Sequence, residues 1–576
     1  MQILFIHAPE RCQPCRDMWL RMSEIARRRE DLSITKVTPI HADNEKETAD
    51  AYGFTVIPTI ILVDDEDKEL FRSEGRISDI EFEYLFEAAN KGEYDPEEFK
   101  SACGNVVFYR TYSRRTPYGQ RETYREAIHR VAKDIAELGE FTDAERDLVL
   151  RQALEQHALP SGRWMWTGGT QWIKQQRNFS GAYNCTSTDI NDKDAFGLIM
   201  NLAMMGSGTG AILEKEMVAK LPKIVNKLNV TRVSDVGKSG GNPETVVLVE
   251  VENGRARISV GDSREGWVSA YQALIDLAMD TDLRQKLNKA GKERLNINLD
   301  LTQVRPAGEK LQGFGGTANP VKLGDALKRV AKLLATAHGR FLKPIECCLL
   351  IDEAAAAVVA GNIRRSAGMR QFSWDDAEAA AAKDNLYTQD KAGNWKVDPV
   401  RENLRMANHT RCAHTKPTLE EVKEAVTKQF YSGEGAIQYV PEAVARSNAD
   451  LLEEGGNLDM KQAFLDMYEQ GYARDFLCSL IDVERPDMDP EEKQQELDHR
   501  MGRYGLNPCG EILGQDFHCN LAEVHLNTLD PMDLDAQDQA FKAAALQVAA
   551  LLHHEFLQDR YAFSRMMDPI VGVSFT

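Results

Sequence analysis

Residues 505–520 read GLNPCGEILGQDFHCN, and the five letters N-P-C-G-E at 507–511 carry more of the argument than any other stretch of the chain. Pro508 and Gly510 flank Cys509 and mark a tight turn. Asn507 and Glu511 stand two residues to either side of the thiol, and Cys519 follows ten positions on. A buried cysteine in a reducing compartment is by default a small apolar residue. A third thiol, Cys185 in GAYNCTST, and the set Asn507, Cys509, Glu511 and Cys519 together suggest more than packing. One thiol beside a carboxylate suits hydrogen-atom and proton chemistry, while two others can deliver an electron pair by closing a disulfide.

The bulk of the chain bounds what this chemistry can serve. A length of 576 residues implies about two to four domains, and 43% hydrophobic with 28% charged residues is ordinary for a globular protein. A net charge of −20 argues against a nucleic-acid polymer as partner, since phosphate neutralisation calls for a basic face. Nucleotides need only a few local donors and stay open. No apolar run approaches the ~18 residues of a membrane span, and MQILFIHAPERC lacks the basic flank and apolar length of a signal peptide. The expected location is the cytoplasm. Ten cysteines at these spacings form neither a secreted disulfide framework nor a zinc motif, so no metal is expected. His553-His554-Glu555 lies on a helix-like stretch without the second histidine of HExxH.

At the amino terminus an apolar strand, MQILFIHAPE, runs directly into CQPC at 12–15. Met18, Met22, Ile25 and Ala26 then recur at helical spacing, so the dithiol sits at a strand-to-helix turn where a helix N-terminus favours thiolate. A strand in DLSITKVTPI, a helix in NEKETADAYGF, a hairpin in TVIPTIILVDDEDKELFRSEG and a helix in ISDIEFEYLFEAA follow. This order resembles the thioredoxin and glutaredoxin family over residues 1–90. The resemblance implies that Cys12 attacks, Cys15 resolves, and Pro58 is the proline beside the dithiol. Residues 91–105, polar and broken by Gly and Pro, read as a linker.

From residue 106 helical periods dominate to about 180, and helix-strand alternation follows, which favours an α/β fold with parallel strands. FYRTYSR, PSGRWMWTGGT, NCTS, GSGTGA, VGDSREGW, VRPAGEKLQGFGGTA, GNIRRSA, NPCGEI and FHCNLAEV, in this order, resemble the adenosylcobalamin-dependent (class II) ribonucleotide reductases, and most of all the monomeric ribonucleoside-triphosphate type. The resemblance implies a ten-stranded α/β barrel over 181–576, with NPCGE at the tip of a central finger loop. It implies a thiyl radical on Cys509, Glu511 as base, Asn507 as substrate ligand, and Cys185 with Cys519 as the reducing pair. Gly206, Ser207 and Gly208 would approach substrate, although a strand-to-helix turn asks for glycines anyway. Asp262, Ser263 and Arg264, with Arg305, Gly315 and Gly316 of the specificity loop, would serve a deoxynucleotide effector held by an insertion around 213–320. Adenosylcobalamin is the implied cofactor, and an external thioredoxin system a possible partner. Cys103, Cys347, Cys348, Cys412 and Cys478 match no family role and read as packing.

The chain ends in MMDPIVGVSFT, where Pro569–Thr576 reads as a barrel strand preceded by an apolar helix in DQAFKAAALQVAALLHHEFLQDRY. Against the family pattern, further strands and most of the cobalamin seat would have to come from a complementing carboxy-terminal polypeptide. Two other readings stand beside this one: a reductase whose radical arises on a separate subunit, and a non-catalytic thioredoxin fusion acting as a binding module.

Overall fold

The apolar run at the amino terminus forms strand β1 (Gln2–Ile6), followed by a helix (Gln13–Arg27), β2 (Ser33–Val37), β3 (Thr59–Val63) and β4 (Glu69–Glu74). The computed structural model describes residues 2–6, 13–28, 32–37, 59–66, 69–74, 86, 102–114, 121–306, 320–358, 367–391, 393–453 and 459–576. They divide into two units, residues 1–169 with 525–543, and residues 170–524 with 544–576.

In the first unit the strands lie in the order β2-β1-β3-β4. β1 is parallel to β2 and antiparallel to β3, and β3–β4 is the expected hairpin. The period-2 and period-3.6 apolar positions meet as intended: Ile3, Phe5, Ile60 and Leu62 of the sheet pack on Met18, Met22 and Ile25 of the helix. Cys15, in the first turn of that helix, is buried and held in a disulfide. Cys12, Pro58 and the expected helix in 44–54 lie outside the described residues. Part of the stretch expected as a linker is helical, Ala102–Val107. Two longer helices, Tyr124–Leu138 and Asp143–Leu154, each start at a capping box, Thr123 with Glu126 and Thr142 with Glu145.

The second unit starts its sheet with β5 (Cys185–Asp189), a helix (Asp194–Met204) and β6 (Gly208–Ile212). The chain then leaves that sheet and builds another, β7 (Lys227–Val233), β8 (Val246–Glu250), β9 (Arg255–Ser259) and β10 (Arg294–Asp300), in the order β7-β10-β9-β8. Helices Arg264–Met279 and Pro320–Thr336 cover it with an apolar core that includes Tyr271, Leu274, Ile297, Leu299 and Leu327. On return, a helix (Pro344–Val358) leads to β11 (Gly368–Ser373), β12 (Asn408–Ala413) and β13 (Ala436–Tyr439).

The central sheet has the order β13-β12-β11-β6-β5-β16, where β16 is His518–Cys519. The first five strands are parallel and β16 pairs antiparallel with β5. Every residue of β5 and β6 is buried, as expected for parallel strands covered on both faces. A short hairpin of two-residue strands, β14 (Gly505–Leu506) and β15 (Leu513–Gly514), carries the NPCGE turn between them.

Three local expectations are corrected. GSGTG follows a helix and enters a strand, so its turn is helix-to-strand, and Gly206 makes it at φ 77°. The apolar helix near the carboxy terminus ends at Ala550. A single 3-10 turn (Leu551–His553) and an extended bend follow before the next helix at Asp559, so His554 and Glu555 are not helical. The last strand is Gly572–Phe575, parallel to Leu521–Val524, and shorter than the run from Pro569.

Candidate functional site

The turn at 507–511 is built by its own asparagine. The Asn507 side-chain oxygen accepts the N–H groups of Gly510 and Ile512, both at 3.1 Å, and its carbonyl accepts Gly510 N–H at 3.0 Å. Gly510 completes the reversal at φ 78°, a conformation open to glycine at little cost. Asn507 is buried while Cys509 and Glu511 project into the open. The Asn507 amide nitrogen is buried and no oxygen or nitrogen accepts from it; it acts instead on the Cys185 thiol, so half of this side chain holds the turn and half faces the thiols.

Gly208 and Gly210 explain why the turn can reach the sheet. A side chain on Gly208 would meet Pro508 at 2.9 Å and the Cys185 sulfur at 3.5 Å. One on Gly210 would overlap the Leu506 carbonyl oxygen and crowd that of Thr186 at 3.0 Å. The glycines of GSGTG therefore seat the hairpin against β5 and β6. The N–H groups expected to face substrate are already committed: Gly206 to Ala203, Ser207 to Leu202 and Gly208 to Asn184 carbonyls. The Ser207 hydroxyl donates to the carbonyls of Ser180 and Tyr183.

Three thiols from two distant parts of the chain converge here. Cys185 on β5 lies opposite Cys519 on β16 in the antiparallel register. Such a pair has Cα atoms about 4.5–5.5 Å apart, inside the range that a disulfide spans. The Cys185 sulfur, the Cys509 sulfur and a Glu511 carboxylate oxygen all lie within 4.8 Å of one another. Cys185 and Cys519 are buried free thiols. Burial, and then the neighbouring Cys509 and Glu511, push the Cys185 thiol up to about 12, with the Asn507 amide pulling the other way. Burial, and then Cys185 and Glu511, push Cys519 up to about 12 as well. At neutral pH both are protonated, so the pair holds two hydrogens as well as two electrons.

The other residues singled out from sequence fall elsewhere. Asp262 and Arg305 bond to each other, with the guanidinium on the carboxylate at 3.0–3.1 Å. Ser263 caps the helix Arg264–Met279 through Gly266 N–H at 2.9 Å. Arg264 donates to the Arg177 carbonyl and to Glu265. Gly315 and Gly316 lie outside the described residues. Cys347, Cys348 and Cys412 are fully buried, as expected of packing residues, but Cys348 does more than pack. Its thiol donates to Asp352 at 3.4 Å and lies 3.7 Å from His409 Nε2, a second group with metal-ligand potential among the described residues. The buried Arg370 already neutralises Asp352 at 2.9 Å, so this cluster is complete as a hydrogen-bonded network. His409, Trp374 and Arg411 border a cavity of about 930 Å³ that contains none of the three converging thiols.

Glu214, Gln371, His414, Gln438 and Tyr504 surround the root of the turn, and no motif or spacing in the sequence marks them. His414 Nε2 meets Glu214 at 3.1 Å and its Nδ1 meets the Tyr468 hydroxyl at 3.0 Å. Burial opposes protonation of His414, yet the Glu214 carboxylate outweighs it and raises the pKa above the ordinary 6.5. Stability from this pair is therefore fully present below pH 6.5 and lost as pH rises through the raised value. The imidazole is 43% exposed, so the effect is screened to under about 1 kcal/mol. Denaturant midpoints measured from pH 6 to 9 should fall, and His414→Gln should flatten that limb; an identical slope in the variant would exclude the pair as its cause.

Comparison with known proteins places this arrangement. Residues 224–334 match the family described as "B12-dependent ribonucleotide reductase, insertion domain". A crystal structure of a B12-dependent (class II) ribonucleotide reductase superposes with a TM-score of 0.59 at 21% identity, over 85% of this chain and 64% of that one. The fold is thus a mixed α/β fold of the class II ribonucleotide reductase kind. Among curated proteins, the adenosylcobalamin-dependent ribonucleoside-triphosphate reductase of Lacticaseibacillus paracasei is 27% identical over 468 residues, 73% of this chain and 54% of the relative. That of Lactobacillus leichmannii is 28% identical over 484 residues, 76% and 56% respectively. The resemblance to this family read from the sequence is borne out, and the chain spans about half the length of the curated relatives it matches.

Proposed function

We propose that this protein reduces ribonucleoside triphosphates to 2′-deoxyribonucleotides by radical chemistry at Cys509, in a barrel of which the central sheet is part and the 505–514 hairpin the finger loop. The observation that carries this reading is the convergence of Cys185, Cys509 and Glu511 within 4.8 Å, with Cys519 paired to Cys185. Adenosylcobalamin, the cofactor in the names of the similar reductases, would when bound supply the one-electron step that makes Cys509 a thiyl radical. The exposed Cys509 thiol at the turn's tip fits that role, since a bulky radical source can approach it and cannot approach the buried pair.

The remaining steps belong to this chain's own residues. The Cys509 sulfur takes the ribose 3′-hydrogen, leaving a carbon radical. Glu511 accepts the 3′-hydroxyl proton, and the buried Asn507 amide donates to a ribose hydroxyl. The 2′-hydroxyl leaves as water with a proton from the Cys185–Cys519 pair. That pair gives two electrons and two hydrogens in all and closes to a disulfide. Cys509 returns its hydrogen to C3′ and Glu511 its proton to the 3′-oxygen, so the sum is ribonucleotide plus dithiol to deoxynucleotide, disulfide and water. High thiol pKa values suit the pair, because the step needs its hydrogens and not a thiolate nucleophile.

Two further parts complete the reading. The β2-β1-β3-β4 sheet with Cys15 on its first helix supports a thioredoxin-like domain over residues 1–90, whose Cys12–Cys15 dithiol recharges the spent pair. The sheet of β7–β10 lies within the matched insertion and would carry the deoxynucleotide effector. There the bonded Asp262–Arg305 pair ties the insertion to the start of the specificity loop.

The test is ribonucleotide reduction by the purified protein with adenosylcobalamin, effector and a dithiol, followed by thiol mapping after one turnover. A Cys185–Cys519 disulfide formed in step with product is expected. Product made while both thiols remain free would remove this pair from the mechanism.

A further inference from the structure

The turn bearing Cys509 is anchored to the central sheet by side chains from two of its parallel strands and by Glu214 just beyond a third, and these converge on Tyr504 and Leu506. The Gln371 amide, from β11, donates to the Tyr504 carbonyl at 3.1 Å and accepts the Leu506 N–H at 2.7 Å. The Gln438 amide, from β13, donates to the same carbonyl at 2.9 Å, and the two glutamines join each other at 2.7 Å. The Cys412 thiol of β12 donates to Gln438 at 3.4 Å. Two residues past the end of β6, Glu214 accepts the Tyr504 hydroxyl at 2.6 Å. Gln371 is fully buried and Tyr504 and Glu214 nearly so.

We infer that Gln371 and Gln438 are positioning residues, a latch that sets where Cys509 stands. The inference rests on the proposed role of Cys509, and its physical content is independent of it. The hairpin strands are two residues long and cannot fix their own register. Glycines at 208 and 210 remove the side chains that would otherwise wedge the hairpin, so hydrogen bonds at its root must hold it. The latch supplies three of them to two consecutive peptide units, in a buried site where unmade bonds are costly. Radical transfer to a ribose needs the sulfur placed to within a fraction of an ångström, and loss of about 1 Å of placement can cost ~10²-fold in rate.

Gln371→Met and Gln438→Met keep side-chain volume and remove the hydrogen bonds. In the full chain, the Leu506 amide should exchange with solvent about tenfold faster in Gln371→Met, with the β5 and β6 amides unchanged. Alkylation of Cys509 by iodoacetamide should change rate in both variants. Turnover should fall about 10²-fold in kcat with KM little altered, since the latch touches the thiol's root and not the nucleotide. Should both variants keep wild-type exchange at Leu506 and wild-type alkylation of Cys509, the latch is refuted. Exchange and alkylation are read without turnover, so an inactive wild-type protein would count against the proposed reaction and leave the latch to be judged by those two measurements.

Discussion

Cys509→Ser is expected to abolish deoxynucleotide formation, to below about 10⁻³ of the unmodified protein, a barrier increase above ~4 kcal/mol. An S–H bond is weak enough to yield a radical and strong enough for that radical to take hydrogen from ribose; an alcohol O–H is too strong to be opened in the first place. Cys509 is exposed and the turn's hydrogen bonds are made by Asn507, so serine should leave both fold and nucleotide affinity unchanged. Equilibrium binding of a ribonucleoside triphosphate beside product analysis separates the two effects. Substantial product from the serine variant would sink the mechanism.

Gly210→Ala should be the most damaging single methyl in the central sheet. The added carbon overlaps the Leu506 carbonyl and crowds that of Thr186, and both obstacles are backbone. Neither can swing aside as a side chain would, so the hairpin must lift from the sheet or the sheet must deform. Overpacking of this kind costs about 1–3 kcal/mol in stability, and lifting the hairpin adds a rate loss of ~10²-fold on the proposed reaction. Denaturant unfolding with turnover on the same preparation checks both. A variant that keeps its midpoint and its rate would mean that the hairpin does not lie against Gly210 in solution.

What could be read directly from the chain was local. The NPCGE turn is made by hydrogen bonds within six residues, from Asn507 to Gly510 and Ile512, so its spacing alone announced it. The β3–β4 hairpin and the helix after β1 were legible for the same reason: period-2 and period-3.6 apolar positions report which face of each element is covered. Residue types carried the chemistry too, since thiols beside a carboxylate and an amide have few uses.

Neighbours across the sheet are another matter. Cys185 and Cys519 are opposed by a register between strands more than three hundred residues apart, which only burial of the whole central sheet selects. The glycines of GSGTG looked like a nucleotide-facing loop, and the fold uses their missing side chains to seat a hairpin. Asp262 and Arg305 looked like two ligands for an effector and are bonded to each other. Gln371, Gln438 and Glu214 left almost no trace, because a single polar residue outside any motif acquires meaning only from the partner it meets. Here that partner is Tyr504 at the root of the Cys509 turn, its carbonyl for the glutamines and its hydroxyl for Glu214, brought within hydrogen-bonding distance by tertiary packing alone.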